Sequence, residues 1–418
     1  MMNDFTGSFP KASRADRLAG AAAMMQRTLD RKAAPEPTGP QSSRTPPTID
    51  GVPETGGTPS AGSASQPVAG PDWLRFVPVE VRSLVELHLP AGLPDVIGQV
   101  GSGYALPGGG LARSLPASAG VAVPDGAKFL SGTFSNQAGA RPYKLYVPSG
   151  YTGQPVPLIV MLHGCTQSSD DFAVGTGMNA AAEEQTCLVV YPGQTTNANA
   201  QKCWKWFSAE DQQRGRGEPS LIAGITRQVM RDYAVDPRRV YVAGLSAGGA
   251  AAAVMGETYP DLYAAIGVHS GLACGAARDL PSALAAMKRG SGAVAHGKLG
   301  SSGARRRIVP AIVFHGDRDT TVSPRNGDDV VAQSIQDAPL RTRVHTGQVP
   351  GGRAYSCTVH SDEGGQPVVE QWVIDGAGHA WSGGSAAGSY TDPQGPDATG
   401  EMLRFFREHP HPAPTQVT

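Results

Sequence analysis

The feature that most constrains the fold of this chain is a strand-like run that ends in Gly-x-Ser-x-Gly. Residues 240–249 read VYVAGLSAGG, and an alanine-rich segment follows directly. This order predicts a strand, a sharp turn and a helix over residues 247–258, the context in which such a turn presents a nucleophilic serine. Glycine is needed at Gly244 and Gly248 because a Cβ there would collide with the adjoining strand or helix. We therefore interpret Ser246 as a nucleophile, rather than as part of a glycine-rich helix start without chemistry.

Strand and helix patterns alternate through the chain after about residue 128. Regular alternation predicts an α/β fold with a mostly parallel, doubly wound sheet and helices on both faces. The first two strands are separated by Asn-Gln-Ala-Gly, which predicts a hairpin. The predicted strands cover residues 128–134, 143–147, 156–162, 188–191, 240–245, 264–269, 308–314 and 368–374, and the predicted helices cover 178–185, 219–233, 247–258, 326–336 and 398–408.

Composition divides the chain into four parts. Residues 1–30 have an amphipathic pattern that predicts a helix. Residues 31–126 form a predicted Pro/Gly-rich linker, largely disordered, with a short apolar segment at 73–89. The first forty residues of this linker contain eight prolines and neither leucine nor an aromatic residue, too little apolar surface to offset chain entropy. Residues 127–410 are predicted to form one catalytic domain, and residues 411–418 a tail.

Charge and hydropathy argue against several classes of partner. The formal net charge is −1 across 418 residues, which gives no electrostatic basis for binding nucleic acid or an anionic membrane. No run of about 18 apolar residues occurs, so no transmembrane helix is predicted. Residues 18–25 imitate the apolar core of a secretion signal, but they also fit the predicted amphipathic helix, and helix is the first interpretation. A small neutral molecule is the expected substrate.

A serine nucleophile requires a general base, which is itself oriented by an acid. In doubly wound hydrolases the acid and then the histidine follow the serine, on loops at the carboxyl ends of strands. His379 fits this position because it follows the predicted strand 368–374 and two glycines. The acid is Asp317 or Asp319, which both follow the predicted strand 308–314. Sequence position alone does not distinguish the two aspartates.

The loop after the predicted strand 156–162 is a candidate for one half of an oxyanion hole. It begins His163-Gly164-Cys165, and its glycine allows a backbone N–H to turn toward the nucleophile. Folds of this type combine such an amide with the amide of the residue after the serine. We therefore nominate the amides of Cys165 and Ala247, and we interpret the Cys165 thiol as structural rather than catalytic.

Five short motifs accompany these candidates, and they read HGCTQ at 163–167, CW at 203–204, GLSAG at 244–248, HGxxD at 315–319 and GHAW at 378–381. Together they resemble the polyhydroxybutyrate (PHB) depolymerase family of α/β-hydrolase esterases. The resemblance covers about residues 128–410. It implies an α/β-hydrolase fold and the hydrolysis of short-chain 3-hydroxyacyl polyesters or related esters. Feruloyl and acetylxylan esterases share much of the pattern.

The resemblance also implies roles for individual residues. In that family the acid of the His-Gly-x-x-Asp motif corresponds to Asp319 and the base to His379, while His163 belongs to the oxyanion loop. Similar cysteines in the family imply a disulfide between Cys165 and Cys203. The family further implies an extracellular location.

These features predict a serine esterase in which Ser246, His379 and Asp319 act as nucleophile, base and acid. Trp204 and Trp381 adjoin motif residues, and they either line an apolar acyl pocket or belong to the core. No metal or other cofactor is expected, since no Cys-x-x-Cys pair occurs. The alternatives are a feruloyl or acetylxylan esterase, a prolyl-oligopeptidase-like peptidase and a non-catalytic scaffold. The first third of the chain lacks the strands of a peptidase gating domain, and a complete set of catalytic residues argues against a scaffold.

The form of the substrate is predicted from the chain after the catalytic histidine. Only 39 residues follow His379. Depolymerases that attack solid polymer usually have a substrate-binding domain in that position, which raises the local substrate concentration. The sequence therefore predicts faster cleavage of dissolved oligomers and short-chain esters than of crystalline polymer.

Overall fold

The computed structural model describes residues 120–291, 308–335 and 338–412. The predicted helix over 1–30, the linker up to residue 119 with its apolar segment at 73–89, and most of the predicted tail lie outside the described residues. None of the helices within the described ranges is both long enough and apolar enough to cross a membrane.

A ten-stranded sheet forms the centre of the described chain. Its strands, in chain order, are β1 (Lys128–Asn136), β2 (Gly139–Val147), β3 (Val156–Leu162), β4 (Leu188–Pro192), β5 (Val235–Leu245), β6 (Ala265–His269), β7 (Ala311–Gly316), β8 (Arg341–Gln348), β9 (Ala354–Ser361) and β10 (Pro367–Ile374). Their order across the sheet is β1-β2-β4-β3-β5-β6-β7-β10-β9-β8. The strands from β4 to β10 in this order run parallel, and one antiparallel hairpin extends each edge. The predicted, mostly parallel sheet is confirmed.

Seven α-helices and one short 3₁₀ helix (Ala209–Gln212) accompany the sheet within the described ranges. The α-helices are α1 (Ser169–Thr176), α2 (Met178–Gln185), α3 (Gly217–Asp232), α4 (Ala247–Thr258), α5 (Leu280–Arg289), α6 (Arg325–Ile335) and α7 (Ala398–Glu408). A small parallel pair, β11 (Trp381–Ser382) and β12 (Thr391–Asp392), follows β10 in the chain.

Alternate residues of the central strands face two separate cores. On β3, Leu158 and Val160 pack with side chains from α3, α4 and α6. The intervening Ile159 and Met161 pack with side chains from α1, α2 and α7. Because successive side chains of a strand point to opposite faces, the two cores lie on the two sides of the sheet. The fold is therefore doubly wound, as the alternating pattern predicts.

Most predicted element boundaries agree with the structure to within a few residues. β3, α2, α4 and α7 have the predicted ends, whereas β5 begins at Val235 instead of residue 240 and α3 begins at Gly217 instead of residue 219. The sequence pattern does not predict α1. That helix is short, and its start is fixed by a cap in which the Asp171 N–H donates to Ser168 Oγ at 3.1 Å.

The carboxyl ends of four parallel strands carry the candidate site residues. β3 ends at Leu162, β5 at Leu245, β7 at Gly316 and β10 at Ile374. Each is followed directly by one of the motif loops. Since parallel strands end at the same edge of a sheet, the fold brings these loops to one side of the molecule.

Candidate active site

Ser246 occupies a strained turn between β5 and α4. Its backbone has φ 59° and ψ −120°, a conformation that costs of the order of 1–3 kcal/mol for a residue other than glycine. The turn is held by the Ser246 N–H, which donates to the carbonyl of His269 at 2.9 Å. A Cβ on Gly248 would lie 2.0 Å from the carbonyl oxygen of Leu162, and one on Gly244 would lie 2.4 Å from the backbone of Gly248. The two motif glycines are thus required by close backbone contacts, as predicted.

The loops after β7 and β10 are joined by backbone hydrogen bonds. The Asp317 N–H donates to Ile374 O at 3.1 Å, and the Arg318 N–H donates to Ala377 O at 3.0 Å. A Cβ on Gly316 would lie 2.4 Å from Ala377 O, so the second glycine of the His-Gly-x-x-Asp motif permits this contact. These bonds fix the position of the aspartate loop relative to the loop that carries His379.

Asp319 and His379 form a partly buried hydrogen bond. His379 Nδ1 donates to Asp319 Oδ2 at 2.7 Å, and the carboxylate is fully buried. Asp319 Oδ1 accepts the N–H groups of Thr321 and Val322, each at 2.9 Å. Burial alone would raise the pKa of Asp319, but the adjacent imidazoles of His379 and His315 outweigh it and hold that pKa well below its usual range. Asp319 therefore stays ionised and orients the imidazole with Nε2 away from the acid.

Asp317 has a different place in the structure. Its side chain is exposed, and Oδ1 accepts the Gly376 N–H at 2.6 Å. Asp317 thus fixes the loop that carries Gly376. Of the two candidates, the structure brings only Asp319 into contact with His379.

Several backbone polar groups of the oxyanion loop, residues 163–167, are hydrogen-bonded within the protein. The Gly164 N–H donates to Gln167 Oε1 at 2.9 Å, and the Thr166 N–H donates to Gln201 O at 2.6 Å. The Cys165 carbonyl accepts from Thr166 Oγ1 at 2.6 Å. Within the described chain the Cys165 N–H has no acceptor. It remains available for an oxyanion, together with the Ala247 N–H at the first position of α4.

The oxyanion loop lies directly over the nucleophile. A Cβ placed on Gly164 would lie 3.5 Å from Ser246 Cβ and 3.5 Å from Leu245 O. The Cys165 amide and the Ala247 amide are therefore on neighbouring segments beside Ser246. This arrangement can stabilise negative charge on an oxygen bound next to the serine.

His163 supports the oxyanion loop without contributing a donor of its own. Its Nε2 accepts the Gln194 N–H at 3.0 Å, so Nδ1 carries the proton and donates to Gly164 O at 2.7 Å. Burial lowers the pKa of His163 to about 4, which keeps the ring neutral. The expectation that His163 belongs to the oxyanion site is corrected. Its side chain contributes no donor but holds the Gly164–Cys165 peptide, whose N–H is the candidate donor.

Cys165 and Cys203 form a disulfide, with their Cα atoms 4.2 Å apart. The pairing implied by the family resemblance is confirmed. The bond connects the oxyanion loop to the loop of Trp204. It also removes the Cys165 thiol as a nucleophile.

Trp204 and Trp381 are core residues, which corrects the expectation that they line an acyl pocket. Both side chains are fully buried, with 0% and 1% exposure. Trp204 Nε1 donates to His163 O at 3.1 Å, and Trp381 Nε1 donates to Thr399 Oγ1 at 3.0 Å. Each indole fixes a segment next to the site and is not accessible to a substrate.

His269 is a supporting residue that the sequence reasoning missed. It is the last residue of β6; its carbonyl accepts the Ser246 N–H, and its Nε2 accepts the Ser382 N–H at 3.0 Å. Its ring stacks on Phe314 and on Trp381, and burial lowers its pKa well below 6.5. The sequence signal that could have identified His269 was its position as a polar residue at the end of the predicted strand 264–269. That strand follows the one that leads to Ser246.

The known proteins that this chain resembles include esterases and depolymerases. Residues 141–344 match the family model described as esterase PHB depolymerase. The chain is 34% identical over 242 residues to the poly(3-hydroxyalkanoate) depolymerase C of Paucimonas lemoignei, across 56% of this chain and 57% of that protein. It is 30% identical over 259 residues to the feruloyl esterase B of Neurospora crassa, across 59% of this chain and 85% of that protein. The chain spans about half the length of the depolymerases that it matches.

A solved structure with the same fold is the acetyl xylan esterase from Aspergillus awamori. The TM-score is 0.51 at 21% sequence identity, and the superposition covers 64% of this chain and 94% of the esterase. At this identity the likeness establishes the fold, which is that of the α/β-hydrolases.

The geometry predicts unequal effects for the two aspartates. Asp319→Asn should lower kcat for p-nitrophenyl acetate by about a thousandfold or more, because an amide cannot hold the imidazole in the required tautomer. Asp317→Asn should lower kcat by less than about tenfold, because its amide oxygen can still accept the Gly376 N–H. The two variants are matched in chemistry and separated by one residue. A larger loss in Asp317→Asn would contradict the assignment.

Two buried neutral histidines predict a pH dependence of stability. The pKa of His163 is lowered to about 4 and that of His269 well below 6.5, both through burial. In the unfolded chain these imidazoles take up protons below about pH 6.5, whereas the folded ones do not. The unfolded state then binds more protons, so the free energy of unfolding falls with falling pH, by about 2 kcal/mol at pH 5 for His163 and by a further amount for His269.

Guanidinium denaturation at pH 7.5 and pH 5.0 measures this effect. We expect a loss of at least about 2 kcal/mol in the free energy of unfolding between the two values. Asp319 does not contribute in this range, because its pKa is lowered and it is ionised throughout. The exposed His345 gives a control, and His345→Gln should show the same pH dependence as the unmodified chain. Equal stability at both pH values would contradict the burial of neutral histidines.

Proposed function

Since the chain belongs to the PHB depolymerase family of esterases, we propose that it hydrolyses short-chain carboxylic esters through a covalent acyl-enzyme. The substrates proposed first are oligomers or polymers of 3-hydroxybutyrate. Ser246 is the proposed nucleophile, His379 the general base and Asp319 the acid that orients it. The amides of Cys165 and Ala247 are the proposed oxyanion donors.

In the first half of the reaction, Ser246 Oγ forms a bond to the ester carbonyl carbon while its proton passes to His379 Nε2. The π electrons of the carbonyl move to oxygen, and the oxyanion accepts the N–H groups of Cys165 and Ala247. Asp319 stabilises the imidazolium that forms. The bond to the leaving alkoxide then breaks, and His379 gives the proton to it. The products of this half are a free alcohol and the acyl-enzyme.

In the second half, water replaces the alcohol. His379 removes a proton from the water as its oxygen bonds to the acyl carbon, and the same two amides stabilise the second oxyanion. The bond to Ser246 Oγ breaks, and the proton on His379 returns to that oxygen. The carboxylic acid leaves, and the site regains its starting state.

One observation carries this proposal: a strained serine and a hydrogen-bonded imidazole–carboxylate pair, whose carboxylate is buried, lie on loops at one sheet edge, beside an N–H without an acceptor. The serine has φ 59°, and the His379–Asp319 distance is 2.7 Å. The Cys165 N–H lacks an acceptor within the described residues. Strained backbone persists where the surroundings fix it, and such positions cluster at active sites.

A second candidate function is that of a feruloyl or acetylxylan esterase. The chain covers 85% of the N. crassa feruloyl esterase B but about half of the matched depolymerases, which favours a related activity on plant-polymer esters. Both candidates share the acyl-enzyme chemistry, and they differ in the acyl group and alcohol that the site accepts.

A substrate panel with a Ser246→Ala variant tests the proposal. The protein should hydrolyse p-nitrophenyl acetate and butyrate but not peptide p-nitroanilides, and the 3-hydroxybutyrate trimer should have a higher kcat/KM than methyl ferulate or acetylated xylo-oligosaccharides. Ser246→Ala should retain less than about a thousandth of the activity, because alanine fits the turn without a nucleophile. Preference for methyl ferulate or acetylated xylan would transfer the assignment to the second candidate. Comparable activity in Ser246→Ala would contradict the mechanism.

A further inference from the structure

Tyr390 connects the oxyanion loop with the segment that follows the base. Its hydroxyl lies 2.8 Å from Thr166 Oγ1. Its carbonyl accepts the Trp381 N–H at 2.7 Å, and Trp381 begins β11, two residues after His379. Tyr390 is half-buried and is not one of the residues assigned to the reaction above. Its hydroxyl is therefore placed to affect the neighbouring Cys165 amide.

The direction of the protons in this contact follows from the acceptors. Thr166 Oγ1 lies 2.6 Å from the Cys165 carbonyl, which can only accept. The single hydroxyl proton of Thr166 is therefore donated to Cys165 O. Thr166 Oγ1 must then act as the acceptor in its contact with Tyr390. The result is a directed chain from Tyr390 O–H to Thr166 O–H to Cys165 O.

This chain acts on one of the two peptide planes that flank Cys165. The Cys165–Thr166 peptide is held at its carbonyl by the Thr166 hydroxyl and at its N–H by Gln201 O, at 2.6 Å. The preceding Gly164–Cys165 peptide is held at its carbonyl by His163. The Cys165 N–H lies in the Gly164–Cys165 plane, which meets the Cys165–Thr166 plane at the Cys165 Cα. Because peptide groups are planar, holding both planes fixes the direction of the Cys165 N–H.

The backbone on both sides of the contact is strained. Thr166 has φ 68° and Tyr390 has φ 54°. Positive φ is unfavourable for a β-branched or bulky residue. Such conformations persist only where the surrounding structure fixes them.

Further hydrogen bonds hold the segments of Thr166 and Tyr390 in place. Gln167 Nε2 donates to Ser389 O at 3.1 Å, and the Ser389 N–H donates to Asp171 Oδ1 at 3.0 Å. The residue before Tyr390 is therefore bonded both to the end of the oxyanion loop and to α1. Two strained residues are thus held in contact next to the Cys165 N–H, which has no acceptor within the described residues.

We propose that Tyr390 is a positioning residue, which orients the Cys165 amide toward the oxyanion through the hydroxyl of Thr166. This inference rests on the proposed function and names a further residue of the same site. Tyr390 does not donate to the oxyanion itself. Its effect is exerted on negative charge that exists only in the transition state, so it should change kcat rather than KM.

Isosteric variants with p-nitrophenyl butyrate as substrate test the proposal. Tyr390→Phe should lower kcat about tenfold, less than the 10²–10³ that follows removal of an oxyanion donor, with KM within about twofold. Thr166→Val should give a similar loss, and Thr166→Ser, which retains the hydroxyl, should restore most of the activity. Because the two residues act in one chain, Tyr390→Phe with Thr166→Val should be no worse than Thr166→Val alone.

Tyr355→Phe is the matched control. Tyr355 lies on β9, is half-buried like Tyr390, and should keep the kcat of the unmodified chain when its hydroxyl is removed. The thermal midpoint of each variant, measured in parallel, separates loss of folding from loss of rate.

Three outcomes would overturn the inference: an unchanged kcat in Tyr390→Phe, a loss confined to KM, or independent losses that multiply in the double variant. If Tyr390→Phe does not fold, the kcat values of Thr166→Val and Thr166→Ser test the inference in its place. An unmodified chain without esterase activity would instead refute the proposed function, and an active chain with an indifferent Tyr390 would refute only this inference.

Discussion

The site depends on one close backbone contact, that between the start of α4 and the end of β3. A Cβ on Gly248 would lie 2.0 Å from Leu162 O and 2.6 Å from His163 O. Because no side chain separates the two segments, the first amide of α4 and the loop after β3 are neighbours. Ser246, which precedes α4, has a backbone conformation with positive φ. The close contact therefore places the proposed nucleophile and the two proposed oxyanion donors on neighbouring segments.

A buried chain of polar side chains supports the oxyanion loop. Gln194 donates its backbone N–H to His163 Nε2 and its side-chain amide to the Glu218 carboxylate. Glu218 also accepts from Arg141 Nη2 at 3.1 Å and from the Lys205 N–H at 2.6 Å. Buried charge is stable only when its hydrogen bonds are satisfied, and these donors surround the carboxylate. Such a network fixes the tautomer of His163 and hence the plane of the peptide that it holds.

The strained turn at Ser246 could be predicted from the sequence because its requirement is local. Two glycines around a serine, after a strand and before a helix, are determined by contacts within a few residues. The choice between Asp317 and Asp319 could not be made from local sequence, because both residues follow the same strand. The structure separates them by long-range contacts: Asp319 is buried against His379, whereas Asp317 is exposed and accepts the Gly376 N–H.

The residues that the sequence misjudged or missed all depend on the tertiary fold. Trp204 adjoins a motif in the chain, but its indole is buried and donates to His163 O. Proximity in sequence does not reveal which side of a loop faces the core. His269 and Tyr390 reach the site from β6 and from the segment before β12, and their partners lie far away in the chain. No local pattern contains that information.

A phosphonate adduct shows whether the Cys165 and Ala247 amides and Ser246 form one oxyanion site. The measurement is a crystal structure after reaction with a p-nitrophenyl alkylphosphonate, whose tetrahedral phosphorus resembles the reaction intermediate. We expect phosphorus bonded to Ser246 Oγ and one phosphonyl oxygen about 3 Å from the nitrogens of both Cys165 and Ala247. The hydrogen bond between His379 and Asp319 should be retained. Phosphorus on another residue, or a phosphonyl oxygen bound without the Cys165 amide, would contradict the account.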